Sequence, residues 1–162
     1  MKIKFLFLST IIFLCNGFIP SKITTIPKII LHSHFSKINT KLKNKDLLIK
    51  TLVDINKPVV YSDIPSIVKG YNNESVLADI VIKQKNGKDI GFYLNGDNYE
   101  MITDLQFWEQ SVPVEVFLEN LYQHYAYNSV IEHCKEEGFI TESIKRDTKM
   151  GIIEIEVSKY NY

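Results

Sequence analysis

Four carboxylates, Asp79, Asp89, Glu100 and Asp104, fall on or beside a run of alternating apolar residues. Two of them held together would suit acid–base or metal chemistry, although carboxylates on a strand face are usually just solvated. His133 and Cys134 adjoin, which raises the idea of a nucleophilic thiol. Neighbours on a helix point about 100° apart, so this histidine is badly placed to serve that cysteine. His34, His124 and His133 are scattered without a metal-ligand spacing, and no CxxC pair, HExxH, nucleophile elbow or Gly-rich phosphate loop occurs. The residues therefore assign no catalytic set, no metal and no cofactor.

The elements that must position the acids are read from periodicity. Val76 to Trp108 reads as a three-strand antiparallel meander, with Val76, Ala78, Ile80 and Ile82 alternating along its first strand and Ile90, Phe92 and Leu94 along its second. With Gly87 in the left-handed position of the first turn, Ile82 faces Ile90, Ile80 faces Phe92 and Ala78 faces Leu94, while Lys83 meets Asp89 on the other side. A two-residue Asn95-Gly96 turn then sets Tyr99 opposite Phe92 and Met101 opposite Ile90. Val81, Tyr93 and Ile102 fall on the outer face among Asp79, Asp89 and Glu100. A face so mixed is either covered by another element or open to a partner.

His34 to Leu42 is expected as a strand with Ile38, Thr40 and Leu42 inward. A short helix follows, capped by Asn44 and stopped before Pro58. Val59 to Tyr61 reads as a brief strand, and Ser62 to Ser75, rich in Asp, Pro, Gly and Asn, reads mainly as loop. A long helix spans about Val112 to Glu137 and ends at Gly138. Its apolar residues fall on two sides, Val114, Phe117, Leu118, Leu121 and Tyr125 on one, Ala126, Val130 and Cys134 on the other. Phe139 to Ser143 and Gly151 to Ser158 close the chain as strands. The fold class is α+β: two layers, a mostly antiparallel sheet with a central meander, one short and one long helix.

Charge is unevenly spread. The 162-residue chain holds 19 basic and 19 acidic residues, yet residues 1 to 45 contain eight lysines and no acid. The remainder has eleven basic against nineteen acidic residues, a net charge of −8. With Arg146 as its only arginine, the chain is a poor candidate for binding nucleic acid. Met1 to Gly17 has two lysines before the apolar run Phe5 to Leu14, the layout of a signal peptide. That run is shorter than the roughly 20 residues of a membrane span, so no span is expected in the mature form. Phe18 to Ser33, basic and free of acids, resembles a transit peptide. The expected organisation is signal peptide 1–17, transit-like segment 18–33 and a single domain over 34–162.

Ser33-His34-Phe35-Ser36-Lys37-Ile38, Ala78-Asp79-Ile80-Val81-Ile82 and Asp89-Ile90-Gly91-Phe92 occur in that order, followed by Tyr99-Glu100, Asp104-Leu105-Gln106-Phe107-Trp108 and Tyr125-Ala126-Tyr127. Together they resemble the hypothetical chloroplast reading frame thirty-five family, also called domain-of-unknown-function twelve fifty-seven, over about residues 33 to 158. The resemblance implies a plastid protein and carries over no catalytic residue. It also fits the leader, since a plastid gene moved to a nucleus needs a signal and a transit segment, and an AT-rich apicoplast suits the composition. Lys145 to Lys149 is read as a small terminal loop departing from the family pattern. The expected location is the apicoplast stroma, reached through the secretory pathway.

These readings lead to a non-catalytic module that binds another plastid protein in an assembly, maintenance or regulatory task. Its expected surface is the outer face at Val81, Tyr93 and Ile102, or the aromatic region of Trp108 and Tyr127. The alternative is a small-ligand or cofactor-linked accessory protein of redox or metal metabolism, with acids and aromatics lining a pocket.

Overall fold

The computed structural model describes residues 2–8, 11–14, 29–31, 35–70, 74–147 and 152–159. The expectations placed on His34, on Asn72 and Asn73, on Thr148 and Lys149, and on much of the leader lie outside the described residues. Where one domain is expected, the chain groups into two compact units, residues 26–117 and residues 1–25 with 118–162.

In the first unit, six antiparallel strands are ordered β3 (Ile29–Leu31), β4 (Ser36–Asn39), β8 (Asn98–Thr103), β7 (Ile90–Asn95), β6 (Ser75–Ile82), β5 (Val59–Lys69). The α+β class holds, and the meander is β6–β7–β8. Cross-strand pairing aligns Ile38, Met101, Phe92 and Ile80 in one row, with Ile82 opposite Ile90. Every member of that set is buried, so the alternation in the sequence becomes a continuous apolar face. Helix α1 (Lys45–Asp54) begins where the Asn44 side chain accepts the Leu47 N–H, and turns Leu47, Leu48, Thr51 and Leu52 inward.

Two registers depart from expectation. In the β7–β8 hairpin Phe92 faces Met101 and Leu94 faces Tyr99, a shift of two residues. The turn is centred on Gly96-Asp97, because Gly96 at φ 61 supplies the first, left-handed position of the turn. A shift of two leaves every side chain on its assigned face.

In the first hairpin, Ile80 and Ile82 pair as expected, but Ala78 does not face Leu94. Asp79 accepts the Leu94 N–H at 2.9 Å, and Ala78 turns toward the other face of the sheet, beside Gly91. The stretch expected as loop is instead most of β5, an eleven-residue edge strand whose pairing slips between Tyr61 and Ser66. Ser62, Asp63 and Pro65, which suggest a loop, sit in that irregularity, which an edge strand accommodates.

In the second unit four antiparallel strands are ordered β2 (Ile11–Leu14), β1 (Lys2–Leu8), β10 (Ile152–Ser158), β9 (Ile140–Asp147). Lys145 to Asp147, expected as loop, continue β9 and pair with Glu154 to Ile152. Helix α2 (Val114–Glu136) starts in the first unit, runs into the second and stops at Gly138, φ 75. Its two apolar sides are both used. Phe117, Leu118 and Leu121 are buried early, and Ala126, Val130 and Cys134 later pack with Ile153, Ile155 and Val157.

Candidate functional site

The four acids do not assemble. Asp79 is occupied by the Leu94 N–H. Asp89 is buried and accepts from Lys83 Nζ at 2.6 Å and the Gln84 N–H at 3.0 Å, which closes the β6–β7 turn. Glu100 accepts from the Tyr93 hydroxyl and from Asn95 Nδ2 at 2.7 Å. Asp104 caps the short 3-10 turn Leu105–Phe107 through Oδ1 and the Gln106 N–H. Its Oδ2, like Oγ1 of Thr103, is buried with no partner among the described residues. Among those residues no group of three or more His, Cys, Asp or Glu could hold a metal ion.

Val81 and Ile102 require a correction. Both are fully buried in a second apolar cluster with Phe35, Val68 and Ala78, against which Val76 and Tyr93 pack. The outer face of the meander is thus sealed by the chain itself and offers a partner neither residue. Two glycines permit the closure. A Cβ on Gly91 would lie 2.7 Å from Val68 Cγ2 and 2.8 Å from Ala78 Cβ, and one on Gly70 would lie 2.6 Å from the Phe35 ring.

Tyr93, half-buried at the margin of this cluster, has Lys37 Nζ 5.6 Å from its ring centroid. Burial pushes its phenol up to about 12, and the Glu100 carboxylate that accepts its hydrogen bond adds to the rise. Because the folded phenol holds its proton more tightly than an unfolded one, at 10.0, its stabilising contribution is whole below about pH 10 and is lost as pH climbs toward about 12. Absorbance titration is expected to show a tyrosinate step near pH 12 that Tyr93→Phe removes; a step that survives the substitution would refute the assignment.

The aromatic pair divides between the two units. Trp108 donates Nε1–H to the Val112 carbonyl at 2.8 Å and meets Phe117 edge-on, centroids 5.4 Å apart. Tyr127 packs on the Cys134 cluster with the Arg146 guanidinium 5.2 Å over its ring. Each is half-buried and tied to its own unit. Cys134 is buried and its thiol is pushed up by desolvation, the reverse of what a thiolate nucleophile needs, while His133 is exposed on the helix.

Two features escape the sequence reading. One is a polar clamp around buried Gln84, whose Oε1 accepts from the Glu109 N–H at 2.8 Å and Gln110 Nε2 at 3.1 Å. Asn86 Nδ2 donates to the Phe107 carbonyl at 2.8 Å, and its N–H donates to Glu109 Oε2 at 2.8 Å. Reading Asn86 only as a turn residue hides that role.

The other is an apolar stripe on the β5–β6 hairpin. Val68 and Val76, paired across the hairpin, send their side chains into the second core, so their neighbours Ile67 and Leu77, also paired, must point outward. Ile67 is 55% exposed, Leu77 59% and Ile64 79%. A strand expected only in part conceals this alternation.

Comparison with known proteins gives the lineage. The model of the family described as "Protein of unknown function (DUF1257)" matches residues 53–155. An "Uncharacterized protein ycf35" of Guillardia theta is 43% identical over 130 residues, covering 79% of this chain and 98% of that protein. Its namesakes in Pyropia yezoensis and Cyanophora paradoxa are 40% and 36% identical over 131 residues, each covering 80% of this chain and 99% of the relative. No solved structure matches. With a family model over most of its length and relatives aligned nearly end to end, this chain belongs to the DUF1257 family, the ycf35 proteins of plastid genomes, whose function is uncharacterised.

Proposed function

We propose that the protein is a non-catalytic module that binds another plastid protein, and that the contact is made by the outward pair Ile67 and Leu77. The observation that carries this reading is the directly paired Ile67 and Leu77, both more than half exposed, the first on the edge strand β5 and the second on its neighbour β6. Exposed apolar side chains that adjoin one another, unlike scattered ones, mark interaction surfaces. The net charge of −8 beyond residue 45 favours a partner whose apolar patch is rimmed by basic groups.

Residues 1–33 act in this reading as the leader that takes the chain to the stroma through the secretory route. Support comes from length: relatives matched over 98% or 99% of themselves cover only about four-fifths of this chain. Among the described residues no helix is long and apolar enough to cross a membrane.

Affinity purification of the tagged chain from the organelle tests the binding role. A partner near one-to-one stoichiometry is expected, and Ile67→Lys with Leu77→Lys should lower its recovery at least tenfold, as loss of two central apolar contacts does. Since both side chains already face water, the melting temperature should move by only a few degrees. A chain recovered alone with a bound small molecule, or a partner retained in full by the double variant, would count against the reading.

A further inference from the structure

We propose that the outer edge of β10 is a strand-acceptor site which, in the processed protein, takes an extended segment of another protein with lysines alternating with aliphatic residues. This rests on the leader reading, because the segment that occupies the edge in the full chain is Lys2–Leu8.

The seat has three parts. The first is the backbone row, which pairs β1 with β10 from Lys2 opposite Ser158 to Phe7 opposite Ile153. An apolar socket is the second: Ile3 packs on the cluster of Cys134, Ile153, Ile155 and Val157. Third is an acidic rim on the other face. Lys2 Nζ reaches Glu142 at 3.0 Å, Lys4 pairs with Glu154, and Lys4 stands opposite Glu156 in the register. An occupant is thus read by backbone hydrogen bonds for direction, by aliphatic side chains inward and by lysines outward, the usual logic of strand addition.

Cleavage near Gly17 would remove β1 and β2 together and leave β10 paired with β9 alone. An open edge of that kind, with alternating apolar residues Ile153, Ile155 and Val157, is either filled or becomes an aggregation hazard. A second copy is a poor filler. Antiparallel pairing of β10 with itself about Ile155 sets Glu154 opposite Glu156 twice, and like charges directly opposed are destabilising. The lysine-bearing strand seated there shows which charge the rim accepts.

The test uses the full chain carrying a specific protease site after Gly17, intact or cut and freed of its N-terminal piece. Two labelled heptapeptides serve as probes, one alternating lysine with isoleucine and one alternating glutamate with isoleucine. The cut chain is expected to bind the lysine probe at least tenfold more tightly than the glutamate probe, the intact chain to bind it at least tenfold more weakly than the cut chain, and Glu142→Lys with Glu154→Lys to reverse the preference. Should the cut chain unfold, recovery of its β-sheet signal with the lysine probe alone supports the site. No binding, equal binding of both probes, or an intact chain that binds as well as the cut one overturns it. The mass of the protein taken from the organelle separates the two ideas. A chain that retains Met1 refutes the leader reading and the partner strand with it, whereas a processed chain that ignores the lysine probe refutes the acceptor site alone.

Discussion

Gly91→Val is expected to destabilise the fold by about 2–3 kcal/mol through overpacking, and so to lower the melting temperature by about 5–10 °C for a chain of this size. A Cβ at this position meets Val68 Cγ2 at 2.7 Å and Ala78 Cβ at 2.8 Å. The second of these is fixed to its own backbone, so it cannot swing aside as the end of a long side chain would. Valine favours strands over glycine by roughly 0.5–1 kcal/mol at best, too little to offset two contacts this short. Alanine should give a smaller loss of the same kind. Thermal melting of the two variants reads the effect directly, and an unchanged or raised melting temperature would mean that Val68 and Ala78 do not lie over the sheet.

The second large effect is one of access. In a chain with Cys15 and Cys134 replaced by alanine, single cysteines at 67, 77, 81 and 102 should divide sharply in their reaction with a water-soluble maleimide. Ile67→Cys and Leu77→Cys stand in water and should react at about the rate of a free thiol. Val81→Cys and Ile102→Cys are fully buried and can react only when the structure opens. Local or global opening costs several kcal/mol in an ordinary domain, so these two should react at least about a hundredfold more slowly.

Gly91 and the β5–β6 hairpin also explain which parts of the fold were legible. Ile80, Ile82, Phe92 and Met101 are readable because strict alternation has one physical meaning on a pleated sheet, and their core face survives even where the β7–β8 register slips by two. Asn44 and Gly138 are readable because helix ends need a side-chain acceptor or a left-handed residue. The outer face is not readable in this way. Whether Val81 and Ile102 meet solvent or protein depends on Ala78 turning to their face beside Gly91, on the slip in β5 and on Phe35 reaching Gly70. None of these leaves a local pattern beyond two glycines without an evident turn.

The same holds for the acids. Asp79, Asp89, Glu100 and Asp104 look like a set along the sequence, yet each is taken by a turn, a strand end or a tyrosine close by. Short-range hydrogen bonds to backbone N–H groups are the commonest use of such residues. The stripe at Ile67 and Leu77 was hidden for the opposite reason. The strand that carries Ile67 also holds Ser62, Asp63 and Pro65, and turn-forming residues outweigh an isolated aliphatic in any local reading, so the partner that Leu77 pairs with goes unseen.

The maleimide comparison of positions 67 and 102 tests the central claim most directly, because it asks which apolar surface of the meander unit meets water. Rapid labelling at 67 with strong protection at 102 is the predicted result. Equal rates at the two positions would show that the outer face is open and return the partner surface to Val81, Tyr93 and Ile102.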